Sequence, residues 1–276
     1  MKMSINFSRS IGLTLFILGM TALLVATVYS SPIPALIGLG LVFWGIIIAY
    51  IQPDEYVKKT ILNATSTTLL ETLDETLKTL DYRGKAIYLP PKYLNDPDSI
   101  RAYIPKQETN MLPSPETVQK LEMQPTPKND QGILITPPGA QLARLLEKEI
   151  GISLLRMNLT DLQQRLPQTL IEDMEIVTDC EIRQTYDKIE GRSQENAQSS
   201  RNVVTAKFTT TAFKDTCKRA TQLSSIFSNV GCPLSSVLAI AFAKATGKPT
   251  RILNEKTSED GLTNETEYII LEEPNI

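Results

Sequence analysis

Two stretches near the start of the chain limit its architecture more than anything that follows. "IGLTLFILGMTALLVATVY" (Ile11–Tyr29) and "IPALIGLGLVFWGIIIAYI" (Ile33–Ile51) each run for 19 residues without an Asp, Glu, Lys or Arg. Only Ser30, Ser31 and Pro32 separate them. Each is long enough to cross a hydrocarbon core as a helix, so residues 1–53 are expected to form a transmembrane α-helical hairpin. Lys2 and Arg9 also give the first run the basic start of a signal peptide. Against that reading, its apolar stretch is longer than a leader needs and a second follows at once. The basic flanks are Lys2 and Arg9 before the first run and Lys58 and Lys59 after the second. The positive-inside rule then puts both termini and residues 54–276 in the cytoplasm of a multi-pass cell-membrane protein. Asn63, Asn158 and Asn264 stand in glycosylation sequons, which would go unused on that side. With no Asp, Glu, Lys or Arg inside either run, an ion or proton pathway is not expected. Ala22, Ala26, Gly38, Gly40 and Gly45 read as small residues for close helix approach, within the hairpin or between copies. The hairpin is an anchor.

The rest of the chain is acidic and has no apolar run to match these. All 31 acidic residues, and every base except Lys2 and Arg9, follow residue 53. That balance argues against nucleic-acid binding, which calls for a basic surface. Residues 54–82 are expected to form a juxtamembrane amphipathic helix, with Asp54 and Glu55 in its first turn and Leu70, Leu73, Leu77 and Leu80 on one stripe. The stripe serves either to dock the helix on its own domain or to join two copies as a short coiled coil. Residues 83–276 are expected to be a cytosolic α+β domain with mostly antiparallel sheet. Short strands are read in "KAIYLP" and "IRAYIPK", then a flexible loop over 105–131, a strand at Ile133–Thr136 and a helix from Ala140 to Glu149. A second helix covers Leu159–Asp173, with Pro167 as a kink. Period-two alternation marks strands over Met174–Ile182 and Val204–Ala212, on either side of a mobile loop near 190–201. Helices follow over Lys214–Phe227 and Pro233–Thr246, then two edge-like strands near Thr250–Asn254 and Glu267–Leu271.

Chemistry is constrained by one absence: the chain has 276 residues and no histidine. Ser-His-Asp and Cys-His couples and histidine-ligated metal are excluded, and no metal or cofactor site is expected. The cysteines are Cys180, Cys217 and Cys232, too far apart in sequence for a CxxC pair or a zinc knuckle. A sparse, odd count fits a reducing compartment. Cys180 and Cys217 sit on apolar faces and read as core. Cys232 precedes Pro233, which suits a first helical turn, so it stands near an N-cap where partial positive charge can activate a thiol. The helix it opens is apolar on almost every side, however, and burial works the other way. Cys232 therefore reads first as core, then as a thiol contacting a ligand beside Leu234, Leu238 and Phe242, and last as a nucleophile. "ATGKPT" lacks the glycine and the Ser or Thr of a phosphate-binding loop and reads as a helix stop. "TPPGAQL" reads as helix initiation.

"AIYLPPKYL", "ILITPPGAQLARLLEKEIG" and "GCPLSSVLAIAFAKATGKP", in this order behind a two-span hairpin, resemble a group of uncharacterised archaeal membrane proteins sharing a domain of unknown function. The resemblance covers most of residues 83–276 and implies an archaeal cell-membrane location with a cytosolic domain. A looser analogy links the turn before the late apolar helix to vinyl-reductase-type small-molecule-binding domains. The later cysteines of those domains are missing, since none follows Cys232. The expected function is a membrane-anchored, non-catalytic module binding a small apolar ligand or a protein partner. The alternatives are a thiol-dependent enzyme using Cys232 and a scaffold that only oligomerises, through the spans or through Leu70, Leu73, Leu77 and Leu80.

Overall fold

The structure is a computed structural model that describes residues 3–29, 32–50, 59–109, 111–123, 132–187, 201–210 and 212–272. The chain divides into two compact units, residues 1–61 and 62–276.

In the first unit, α1 (Met3–Tyr29) and α2 (Pro32–Tyr50) lie against each other. Glycines set their approach. A Cβ on Gly19 would stand 2.7 Å from Val42, and one on Gly45 would stand 2.7 Å from the Phe16 backbone nitrogen. Gly40 faces open space instead. Outside the seam the helices expose apolar side chains, among them Leu24, Val28, Ile33, Leu36, Leu39, Phe43 and Trp44. By length and apolar composition Ile11–Tyr29 suffices to cross a membrane, and so does Ser224–Thr246. The difference is burial: 17% of the first segment is enclosed against 83% of the second, which is a core element.

The second unit is built on a seven-stranded sheet in which every pairing is antiparallel. Its order is β3-β2-β1-β6-β7-β5-β4, with β1 Ile87–Tyr88, β2 Ala102–Pro105, β3 Gly132–Ile135, β4 Asp179–Asp187, β5 Arg201–Thr209, β6 Thr250–Thr257 and β7 Thr263–Ile270. One face carries the main core. There α5 (Ala140–Ile150), α6 (Leu159–Gln168), α7 (Lys214–Gln222) and α9 (Pro233–Thr246) bury Leu146, Leu162, Cys217, Leu238 and Phe242 against Val204, Ala206, Phe208 and Tyr268. The other face has a smaller core at the β1–β2–β3 end, where Ile87, Leu89, Tyr93 and Tyr103 meet Val118 of α4 (Pro115–Met123). Helices set beside an antiparallel sheet make this an α+β unit.

Several elements differ from the sequence reading. The span taken as one loop over 105–131 contains α4. Ser114 Oγ accepts from the Thr117 N–H at 3.3 Å to start it, and Val118 is fully buried. Polar composition concealed an amphipathic turn or two; residues 110 and 124–131 lie outside the described residues. The helix expected to reach Asp173 changes at Pro167, and Thr169–Asp173 continues as a wider π turn. Pro167 has no N–H to give to the α-helical ladder. The strand read from Met174 begins only at Asp179, because Glu175 takes a left-handed conformation (φ 52°) straight after the π turn. Lys214–Phe227 is two helices, α7 and α8 (Ser224–Asn229), broken where Leu223 turns extended. That break turns Ile226 inward and leaves Ser224 exposed. β6 and β7 are central strands rather than edges. Arg201 and Asn202, read as loop, open β5, and residues 188–200 lie outside the described residues.

The helix expected over 54–82 is described as α3, Lys59–Thr79; its expected start at 54–58 lies outside the described residues. Leu77 belongs to the main core of the second unit, and Leu70, with Leu73 beside it, packs on Leu223 and Ile226. Leu80 is 40% exposed. Three of the four stripe leucines thus spend their apolar surface inside the chain.

Candidate functional site

The densest polar chemistry lies inside the second unit, between the start of α9 and strands β6 and β7. Cys232 is the N-cap of α9, with extended backbone (φ −71°, ψ 162°), and its sulfur accepts from the Ser235 N–H at 3.5 Å. Before it, Gly231 has φ 83°, a conformation that favours glycine. A Cβ there would lie 2.7 Å from Glu255 Oε2.

Glu255 reaches this position through an irregularity in β6. Ile252 is opposite Tyr268, but after one extra residue Asn254 is opposite Glu267 and Glu255 opposite Thr266. A one-residue slip exchanges the faces of a strand. Asn254 therefore faces out, and Glu255 joins Ile252 on the helix-covered face. Asn264, Thr266 and Tyr268 alternate along β7 on that same face.

The carboxylate is almost wholly enclosed, with 7% of Glu255 exposed. Its Oε1 accepts from Ser235 Oγ at 2.8 Å and Asn264 Nδ2 at 2.7 Å, and its Oε2 accepts from the Cys232 N–H at 3.1 Å. Ser235 Oγ is 2.9 Å from Thr266 Oγ1, which donates to Asn264 Oδ1 at 2.8 Å. Tyr268 donates to the Ser235 carbonyl at 3.1 Å. The oxygens of Glu255, Ser235, Thr266 and Asn264 form three consecutive contacts, but the two hydroxyls supply only two hydrogens. With Ser235 donating to Glu255 and Thr266 to Asn264, the Ser235–Thr266 contact carries no hydrogen of its own. Burial raises the Glu255 carboxyl above its ordinary value, against opposing hydrogen bonds from Asn264, Ser235 and Cys232.

The thiols are quiet for the same reason. Cys217 Sγ is 3.4 Å from Cys232 Sγ, and neither residue has exposed surface. Burial, with the neighbouring Cys217 and the Glu255 charge, pushes the Cys232 thiol far up. Burial beside Asp179 pushes Cys180 up to about 12. The N-cap effect on Cys232 is outweighed by desolvation.

The ligand candidates of the sequence are brought together, but inward. Leu234, Leu238 and Phe242 have no exposed surface, and Phe242 meets Tyr268 edge-on at 5.1 Å between ring centres. Elsewhere on α9, Lys244 pairs with Glu147 at 2.8 Å. Glu147 also accepts from Ser153 Oγ and the Leu154 N–H, so the pair ties α9 to α5 and the turn after it. Among the described residues no group of three or more Cys, Asp or Glu side chains is arranged to hold a metal ion. Sequence reasoning missed Glu255, Asn264 and Thr266. Their signal was the alternation Asn264-Thr266-Tyr268, which lay partly outside the strand as read.

One family definition, a domain of unknown function called DUF7982, matches residues 5–267. The chain belongs to that family. No curated protein and no solved structure matches it. The DUF7982 match begins within α1 and ends within β7, so hairpin and sheet domain fall inside a single family definition. The Cys232–Glu255 cluster lies within the same span.

Proposed function

We propose that the protein is a two-span membrane-anchored module whose 62–276 unit lies in the cytoplasm and works by non-catalytic binding of a protein partner. The observation that carries the non-catalytic part is the closure of the Cys232–Glu255 cluster, where nucleophile and carboxyl group have internal partners and almost no exposed surface. Catalysis needs those groups within reach of a substrate. The partner reading is preferred to a small apolar ligand because Leu234, Leu238 and Phe242 are used in the core. Anchoring is supported by the charge-free hairpin, whose outward apolar side chains would be costly in water. The basic flanks support the cytoplasmic orientation, and the resemblance drawn above supports an archaeal cell membrane.

Two measurements test this reading. Folded protein in detergent, treated with iodoacetamide at neutral pH, is expected to keep all three thiols unmodified; rapid selective labelling of Cys232 would move the assignment to a thiol enzyme. Carboxy-terminal fusions are expected to be fluorescent with green fluorescent protein and inactive with alkaline phosphatase, and the reverse result would overturn the orientation. Native mass spectrometry separates the ligand reading, which alone predicts an extra small mass lost on unfolding.

A further inference from the structure

We propose that Cys217 and Cys232 form a buried dithiol that peroxide-class oxidants convert reversibly into an intramolecular disulfide, a modification site independent of the binding function above. The two sulfurs come from α7 and from the N-cap of α9, and they stand 3.4 Å apart as free thiols. A disulfide is about 2.05 Å long, so bonding asks each side chain to move well under one ångström. The short chain between them, through α8, already folds back on itself to bring them together.

Solvent reaches the neighbours of both cysteines, though not the sulfurs themselves. A surface cleft of about 370 Å³ is bounded by Lys218, Phe227, Glu255 and Thr257. Lys218 adjoins Cys217 in the chain, and Glu255 holds the Cys232 N–H, so a small oxidant in the cleft needs only a local opening to meet the dithiol. Ser235 Oγ at 3.4 Å and Asn264 Nδ2 at 3.8 Å flank the Cys232 sulfur.

The steps balance with one peroxide. The Cys232 sulfur attacks hydrogen peroxide, the O–O bond breaks, and Cys232 becomes a sulfenic acid with release of one water. The Cys217 sulfur then attacks the sulfenic sulfur; the S–S bond forms, and the departing hydroxide leaves as a second water with the Cys217 proton. Two thiols are oxidised by two electrons in total, and the peroxide is reduced. A resolving thiol already in contact diverts the sulfenic acid from irreversible over-oxidation. The reaction is slow, because burial pushes the Cys232 thiol up and neither sulfur is exposed.

The test uses the full-length protein in detergent micelles, treated with hydrogen peroxide, then quenched, unfolded and alkylated with N-ethylmaleimide. The expected product is two hydrogens lighter, alkylated only at Cys180, with a linked peptide pair containing Cys217 and Cys232 that dithiothreitol separates. Cys180→Ser is expected to keep the link and Cys217→Ser to abolish it. Three alkylatable thiols, after prolonged exposure to a dose well beyond the one that oxidises a free-thiol control peptide, would overturn the proposal; so would links to Cys180 or sulfinic acid at Cys232. The wild-type result stands even if a variant fails to fold.

Discussion

Replacing Glu255 by alanine and by glutamine separates what this side chain does by shape from what it does by charge. In Glu255→Ala, Ser235 can turn to Thr266, and Asn264 retains Thr257 Oγ1 at 3.1 Å. The Cys232 N–H loses its carboxylate partner with no such substitute. One buried unsatisfied donor costs about 1–3 kcal/mol, and the cavity left behind adds to it. The expected loss is about 2–4 kcal/mol, or roughly 5–15 °C in melting temperature for a unit of this size. Glu255→Gln retains the volume and an oxygen for the Cys232 N–H, but it sets an NH2 group where Oε1 accepts from Ser235 and Asn264. Its cost depends on pH in a defined direction. The folded pKa of Glu255 lies above its ordinary value of 4.5. Its contribution to stability is therefore fully present below about 4.5 and is lost as pH rises through the folded pKa. Glutamine has no such dependence, so the gap between wild type and Glu255→Gln is expected to narrow from pH 4 to pH 8. Denaturant unfolding in detergent at several pH values reads both effects. A gap that widens with pH would refute the raised folded pKa, and a Glu255→Ala loss below about 1 kcal/mol would refute the orphaned-donor argument.

Other substitutions probe the elements that hold this arrangement in place. Gly231→Ala meets both a positive φ and contacts of 2.6 Å with Ile252 and 2.7 Å with Glu255; a loss of about 2–4 kcal/mol is expected by chemical denaturation. Asp74 accepts from the Ser225 and Ile226 N–H groups and pairs with Lys78 at 2.6 Å. Burial opposes its charge, but the bonds from Lys78, Ile226 and Ser225 outweigh burial and hold it below the usual 3.8. Its stabilisation is present above about 3.8 and lost as pH falls through the lower folded value, so Asp74→Ala should lower stability at pH 7 and flatten the acid side of a stability–pH curve. In the hairpin, Gly45→Ala should lower the melting temperature of the helical signal in detergent, since its Cβ meets the Phe16 backbone. Gly40→Ala, facing open space, should leave it unchanged or raise it.

Local rules determined much of this protein. Charge-free length gave the two hairpin helices, and Pro233 with Gly247 bracketed α9, because caps and apolar runs act within a few residues. The same reasoning put Cys180, Cys217 and Cys232 among core residues, and all three are buried. It failed where an element's character depends on distant partners. α4 forms in a polar, proline-rich stretch because Val118 finds Ile87 and Tyr103 on the sheet's second face. β6 and β7 looked like edges because their polar residues, Glu255, Asn264 and Thr266, break the expected apolar face.

Those residues could not be assigned from order along the chain. Alternation counts residues in one strand, whereas a bulge is defined only against the strand beside it, and the slip between Ile252 and Asn254 turned Glu255 inward. The contact between Cys217 and Cys232 has the same origin, since it requires the break at Leu223 and the return of the chain through α8. The sequence by itself determined which segments are apolar, where helices begin and end, and that imidazole chemistry is absent. Only the tertiary structure decided which polar groups share the interior, because pairing a buried carboxyl group with its donors is a long-range choice that short-range patterns do not record.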